Sequence, residues 1–155
     1  MRKISVVPLI ICHLLWVHNI ASAQMKPVQA TIVFIKGKAE VQRAGEKVWR
    51  PASLQMALYQ GDRISTEKDA DLEIRLDDGS IVKLKDRSFL ELYAMEKQEQ
   101  PLASIISLKL IWGKLLGCIK KLASKESKFE LTTPTAVAGV RGTVFAVFPK
   151  GIAPN

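Results

Sequence analysis

The side chains that most often carry out catalysis or hold metals are few in this 155-residue chain, and most lie near its start. Both histidines, His13 and His18, and one of the two cysteines, Cys12, precede residue 24. Without that segment, Cys118 is the remaining thiol and no histidine is left. Such a chain cannot assemble a Ser-His-Asp or Cys-His nucleophile, or a metal site rich in His or Cys. We therefore predict a protein that is not an enzyme, holds no metal and needs no cofactor.

The start of the chain has the order of regions found in a secretory signal peptide. Arg2 and Lys3 form a basic start, an apolar run follows over 4–17, and Ala21-Ser22-Ala23 supplies the small residues of a cleavage site. The alternative is a retained N-terminal anchor, although the run is short for a span of about 20 residues. We expect cleavage, export to the periplasm or the medium, and no transmembrane span in the mature chain. The predicted division of the chain is a signal peptide at 1–23, a short leader at 24–29 and one β domain at 30–155.

Clustered carboxylates could indicate a cation site or the acid pair of a glycoside hydrolase. Asp77 and Asp78 are adjacent, and Asp69 and Asp71 lie nearby in the sequence. However, Asp71 alternates with apolar neighbours as an exposed strand face does, and Asp78 followed by glycine suits a tight turn. The spacing of a calcium-binding loop is absent from the sequence. Turn formation and a solvated strand face therefore explain these acids better than a metal or catalytic site.

Basic residues supply the candidate contacts for a partner. The formal net charge is +8, and the densest cluster, over 114–128, includes Lys114, Lys120 and Lys121. Arg141 lies in an Arg-Gly-Thr turn and could bind a carboxylate or phosphate, although a purely structural turn is the favoured interpretation. An envelope protein, an anionic envelope polymer or lipid headgroups would suit such a cluster, and a solvated face that aids solubility is the alternative. Few aromatic residues interleave with the lysines, so we predict no nucleic-acid partner.

The middle of the chain has the period of β-strands. Apolar and charged residues alternate without exception over 70–76, a turn follows at Asp78-Gly79, and the alternation returns over 82–84 and 89–93. These segments predict three strands in a meander. The polar residues of 94–101 predict a connection after them.

The segment 102–122 has two interpretations. Its apolar residues recur at steps of three and four, as in an amphipathic helix, but Gly113 and Gly117 disfavour a helix. With a period of two, the same segment is a strand, a turn at Gly113 and a returning strand, and periodicity does not decide between them. Cys118 is predicted to be a small buried apolar residue, with an intermolecular disulfide as the alternative.

Several short motifs resemble the FecR domain, a family of the bacterial cell envelope. They cover most of the chain from Phe34 to Phe148, and each is weak alone, whereas their order and spacing are specific. The motifs are Gly37 with Val41 and Trp49, Gly61-Asp62-Arg63-Ile64-Ser65-Thr66, Ala70-Asp71-Leu72, Asp78-Gly79-Ser80, Ser88-Phe89-Leu90-Glu91-Leu92, Leu110 with Gly113 and Leu115, Phe129, and Thr133-Pro134-Thr135-Ala136-Val137-Ala138-Gly139-Val140-Arg141-Gly142-Thr143-Val144-Phe145.

The resemblance implies an all-β fold of short, twisted antiparallel strands, arranged like a sandwich or a solenoid. It favours strand, turn and strand for 102–122. The family's prototype is a membrane-spanning regulator whose periplasmic part senses an outer-membrane transporter and signals to a cytoplasmic sigma factor. This sequence is similar to the exported, stand-alone members, which contain the domain without an internal span.

FecR domains continue past the Arg-Gly-Thr block with a further strand pair, whereas this sequence stops soon after it. We therefore expect that the domain lacks its last strands and that 143–148 forms an unprotected edge open to self-association. Two functions follow as expectations. The first is a non-enzymatic binding or sensing module for a protein or polymer of the envelope. The alternative is a structural or assembly component that oligomerises through this edge.

Overall fold

The computed structural model describes residues 25–99 and 101–148, and every regular element in them is a β-strand. The predicted signal peptide lies outside the described residues. The strands are β1 Met25–Pro27, β2 Ala30–Lys36, β3 Ala39–Gln42, β4 Trp49–Pro51, β5 Ala57–Leu58, β6 Arg63–Thr66, β7 Asp71–Leu76, β8 Ile81–Leu84, β9 Ser88–Glu99, β10 Leu102–Trp112, β11 Leu115–Cys118, β12 Lys128–Thr132, β13 Val137–Val140 and β14 Val144–Val147.

The strands form two sheets, and the all-β prediction is confirmed. The eight-stranded sheet has the order β13-β12-β10-β9-β6-β3-β4, with β1 paired to β9, and the six-stranded sheet has the order β14-β11-β8-β7-β2-β5. The strands pair antiparallel except for β10 and β12, which are parallel. This exception arises because the chain passes from the six-stranded sheet after β11 to the eight-stranded sheet at β12. Parallel neighbours need such a crossover, whereas antiparallel neighbours can be joined by a hairpin.

The core is built from strand residues that alternate between buried and exposed positions. Along β7 the burial alternates as the sequence pattern predicts, with Leu72, Ile74 and Leu76 buried. Ile32, Leu90 and Leu108 from other strands are equally buried and belong to the same apolar cluster. The outer face of β7 has charged residues in ion pairs. A set of strands that bury one face each can therefore stabilise the fold without a disulfide.

Segment 102–122 adopts strand, turn and strand, as the family resemblance implied. Gly113, at the turn between β10 and β11, has φ of 98°, and a Cβ there would lie 2.1 Å from Ser88 Oγ. Ser88 Oγ also accepts a hydrogen bond from Lys114 N at 2.8 Å. The glycine therefore marks a tight crossing against β9. The helical interpretation of this segment was wrong.

The prediction of a polar connection over 94–101 was also wrong. β9 continues to Glu99, and its far half pairs with both β10 and β1. Lys26 of β1 and Glu99 form an ion pair at 2.7 Å, while Met95 is fully buried. The sequence of 94–101 is polar because one face of this long hairpin is exposed to solvent. Val28 is also buried, so part of the predicted leader packs against the domain.

Candidate binding groove

The predicted contact residues Lys120 and Lys121 begin the crossover from β11 to β12. Ser80, in the turn between β7 and β8, fixes the start of this crossover, because its buried Oγ accepts a hydrogen bond from Lys120 N at 3.0 Å. The Asp78 carboxylate orients Ser80. Its Oδ1 accepts a hydrogen bond from Ser80 N at 2.8 Å, and its Oδ2 accepts one from Ser80 Oγ at 2.9 Å. The acid of the Asp-Gly turn therefore has a structural role.

A cavity of about 310 Å³ lies between this crossover, the turn between β7 and β8, and the far half of the β9–β10 hairpin. We call it the basic groove. Its apolar lining includes Val28, Ile106 and Leu122, and its polar rim includes Lys120 and Lys121. A ligand in it could bury apolar surface against the floor while its charges meet the rim.

The rim of the basic groove has free positive charge. Lys97 and Asp77 form an exposed ion pair at 3.6 Å. Among residues 25–99 and 101–148, neither Lys120 nor Lys121 has an ion-pair partner, and both are exposed. The two ammonium groups can thus bind an anionic partner without breaking an ion pair to a described residue.

Arg141 lies beside the same groove. A second depression is lined by Arg141, Lys125 and Lys128 and shares Leu122 and Ser127 with the first. The chain passes close to the crossover at Gly142, where an added Cβ would lie 3.0 Å from Lys121 Cα. Gly142 also has φ of 60°, which favours glycine.

Arg141 forms no ion pair with any residue of the described chain, although Glu130 lines the same depression. Three of the four predicted contact residues therefore line two adjoining depressions, which share Leu122 and Ser127.

Lys114 is separate from the other three. It precedes β11, whereas Lys120 follows it, and six residues of extended chain span roughly 20 Å. Its Nζ lies 4.0 Å from a carboxylate oxygen of Asp86. Lys114 therefore has an acidic neighbour at the opposite end of the strand and does not contribute to the basic groove.

The acidic residues of β7 form ion pairs on the outer face of the six-stranded sheet. Lys85 Nζ donates to Asp71 Oδ1 at 2.5 Å, and Lys83 Nζ donates to Glu73 Oε1 at 3.0 Å. The Lys85 ammonium holds the pKa of Asp71 below its ordinary value, since the hydrogen bond favours the charged carboxylate. In the described part of the chain, no group of three or more His, Cys, Asp or Glu residues could hold a metal ion.

Cys118 is exposed, so the prediction of a buried residue was wrong. Leu115 and Gly117 occupy the inward positions of β11, which turns Leu116 and Cys118 outward. Cys118 is opposite Val144 on one side and Ile81 on the other. Sequence alone could not decide this, because all four residues of β11 are small or apolar.

Sequence reasoning missed a partly buried ion pair between Arg43 and Asp62, the aspartate of the Gly-Asp-Arg segment. Asp62 is 2% exposed, and its carboxylate accepts hydrogen bonds from Arg43 at 2.5 Å, Tyr59 N at 3.0 Å and Ala44 N at 3.1 Å. The signal in the sequence was an aspartate directly before an alternating strand. Exposure to solvent alone does not explain an aspartate at this position. Its contacts join the β3–β4 turn to the segment before β6, so its role is structural.

The motifs that carry the resemblance therefore occupy structural positions in this fold: Asp62 in the ion pair, Ser80 in a turn, Ser88 at the start of β9, and Gly113 at the turn that packs against Ser88. The sequence model of the family described as "FecR protein" matches residues 62–152. The chain belongs to the FecR family. FecR domains are sensing and regulatory domains and not enzymes, and they are typically periplasmic parts of membrane regulators. No curated protein and no solved structure matches the chain.

Within the described residues of this FecR-family chain, no helix is long and apolar enough to cross a membrane.

Proposed function

We propose that this FecR-family chain is an exported, non-enzymatic sensing module that binds an anionic component of the bacterial envelope in its basic groove. The observation that carries the proposal is that Lys120 and Lys121 line the basic groove and Arg141 lines the adjoining depression, all three without ion-pair partners in the described chain. Family membership supports the sensing role, and the order of regions over 1–23 supports export.

The chemistry of the groove defines the class of partner. Carboxylate or phosphate groups would accept charge-assisted hydrogen bonds from the two lysines, and Arg141 could bind one such group with two parallel bonds. The apolar floor around Ile106 and Leu122 would add affinity for a partner that also carries apolar atoms. Because the cations are exposed, the interaction should weaken as salt concentration rises.

A charge reversal with a matched control tests this proposal. We would express the full chain in a bacterial host and purify it from the periplasmic fraction, so that its recovery there also tests export. Binding to lipopolysaccharide, to phosphatidylglycerol vesicles and to polyglutamate would be measured for Lys121→Glu and Lys47→Glu. Lys47 is exposed and unpaired in the described chain and lies in the loop before β4. Because both variants replace a lysine with glutamate, they have the same net charge.

We expect at least one probe to bind the wild-type chain, and Lys121→Glu to weaken that binding about tenfold or more, as the loss of a charge-assisted contact predicts. Lys47→Glu should change affinity by less than about twofold because exposed charges are well screened at physiological salt. Equal losses in the two variants would mean that net charge alone attracts the probe, and the basic groove would then not be the site. An absence of binding to all three probes would also contradict the proposal.

A further inference from the structure

The floor and the rim of the basic groove differ in chemistry. Val28, Ala103 and Ile106 are buried and form the floor, and the partly buried Leu122 and the exposed Leu102 continue this apolar surface outward. The lysines of the groove lie at its rim and are exposed to solvent. A ligand that contacts both parts therefore needs an apolar portion and a separate polar portion.

The floor offers no unpaired polar side chain to a ligand. The buried Ser127 hydroxyl, which also lines the groove, accepts a hydrogen bond from Ser104 N at 3.1 Å and contacts Ser124 Oγ at 3.1 Å. In the part of the chain that the structure describes, no buried side-chain nitrogen or oxygen lacks a hydrogen-bond partner. A sugar hydroxyl or a peptide amide on the floor would lose its bonds to water and find no unpaired side chain to replace them. An acyl chain has no such bonds to lose.

Two serine hydroxyls fix the crossover that forms one wall of the groove. Ser80 Oγ accepts a hydrogen bond from Lys120 N at 3.0 Å at its start, and Ser127 Oγ accepts the bond from Ser104 N near its end. Because both ends of 120–127 are held, the wall between the rim and the floor is in place before a ligand binds. A preformed site loses little affinity to the ordering of its own chain.

The charges of the rim favour an anionic headgroup. Lys120 Nζ lies against the turn between β7 and β8, because a Cβ added to Gly79 would overlap it. Lys121 follows directly in the chain, and neither lysine has an ion-pair partner among the described residues. Asp77, an acid of the same rim, already pairs with Lys97. Two unpaired ammonium groups beside an apolar floor are complementary to one carboxylate or phosphate attached to an apolar chain.

We infer that the ligand of the basic groove is a single-chain anionic lipid, with its acyl chain on the floor and its carboxylate or phosphate between Lys120 and Lys121. The inference rests on the proposed function and names the ligand class of the same site. The volume sets the length of chain that fits. A methylene group occupies about as much space as one water in the liquid, roughly 30 Å³, so a cavity of about 310 Å³ holds about ten methylene groups.

A series of fatty acids of increasing length tests this inference. We would purify the full chain after export, remove co-purified lipid on a hydrophobic resin, and measure affinity for octanoate, decanoate, laurate and myristate by equilibrium dialysis below their micelle concentrations. Full burial of one methylene raises affinity about fourfold, and a chain on a floor that is open at the rim should gain about half of that free energy, or twofold per methylene.

We therefore expect laurate to bind about 16-fold more tightly than octanoate. Laurate has ten methylene groups and fills the cavity, so myristate should gain less than about twofold over laurate. Lauryl maltoside has the same chain with an uncharged headgroup, and it should bind at least about tenfold more weakly than laurate because it cannot form the charge-assisted bonds of the rim. Inorganic phosphate, which has no chain, should bind more weakly than octanoate.

Two leucine variants locate the chain on the floor. Leu102 lines the groove and is 49% exposed, whereas Leu54 lies in the turn before β5 and is 60% exposed, so each can be replaced by glutamine with little effect on the core. Leu102→Gln should weaken laurate binding about fivefold, and the matched control Leu54→Gln should change it by less than about twofold. Circular dichroism would show that both variants remain folded.

The outcomes separate the inference from the proposed function. Equal affinities for octanoate and laurate, a rise that continues unchanged to myristate, or equal losses in the two leucine variants would each overturn the inference. If Lys121→Glu still weakened binding of polyglutamate in such a case, the proposed function would stand without the lipid. Laurate binding that Lys121→Glu leaves unchanged would overturn both, because the rim would then not hold the headgroup.

Discussion

Removal of the Asp62 carboxylate should destabilise the domain more than any loss of a surface charge. Asp62→Ala deletes the acceptor for the Arg43 guanidinium and for two backbone amides, those of Ala44 and Tyr59. The side chain of Asp62 is 3% exposed and that of Arg43 is 29% exposed. Water can therefore reach part of the guanidinium after the substitution, but it cannot easily replace the carboxylate between the two amides.

The size of the effect follows from these contacts. Breaking a buried ion pair costs about 3–5 kcal/mol, and a buried donor without a partner costs about 1–3 kcal/mol. Arg43 keeps a hydrogen bond to Ala57 O at 2.8 Å and is partly solvated, which favours the lower part of the range. We expect the free energy of unfolding to fall by about 3 kcal/mol, a large share of the 5–15 kcal/mol typical of a domain.

Urea denaturation at 25 °C, followed by tryptophan fluorescence, measures this loss. With a slope of about 2 kcal/mol per molar urea, the midpoint should fall by about 1.5 M. Asp77→Ala is the control, because its ion pair with Lys97 is exposed and should contribute less than about 1 kcal/mol. If Asp62→Ala shifts the midpoint no further than Asp77→Ala, the buried carboxylate does not join the two segments as argued.

Two further predictions concern stability. Gly113→Ala should lower the free energy of unfolding by about 3 kcal/mol or more, because alanine would be strained at φ of 98° and its Cβ would overlap Ser88. Gly139→Ala is the control: a Cβ there would have nothing within 4 Å, so the variant should be nearly neutral in the same urea assay. Lys85 lowers the pKa of Asp71, and a carboxylate with a lowered pKa stabilises the fold above about pH 4, the unfolded pKa of aspartate. Lys85→Gln should therefore reduce stability above that pH. The difference from the wild-type chain should disappear as pH falls through the folded pKa of Asp71. Urea midpoints from pH 2 to pH 7 would check this, and a difference between the two proteins that persists at the acid end would contradict it.

Local sequence patterns were sufficient to predict a strand where one of its faces is buried and the other is exposed to solvent. The alternation around Leu72 and Ile74 predicted both the strand and its buried face, since the side-chain period of a strand is two. The turn at Asp78-Gly79 was predicted from the same segment, and Gly79 has φ of 79°. These features depend mainly on neighbours in the sequence, so a local pattern was enough to predict them.

Patterns failed where distant contacts decide the outcome. The extension of β9 to Glu99 depends on its pairing with β10 and β1, which polar composition does not reveal. In β11, apolar composition could not tell Leu115, which is buried, from Cys118, which is exposed. Periodicity also left 102–122 undecided, and the family resemblance was needed to favour strands.

By itself, the sequence determined the all-β class, the family and the scarcity of catalytic side chains, because each is a property of residue types and their local order. Only the tertiary structure placed the depression of Arg141 beside the groove of Lys120 and Lys121 and separated Lys114 from them. It also placed β13 and β14 as outermost strands of the two sheets among the described residues. These juxtapositions depend on the crossover from the six-stranded to the eight-stranded sheet, which joins residues far apart in the chain and leaves no periodic pattern in the sequence.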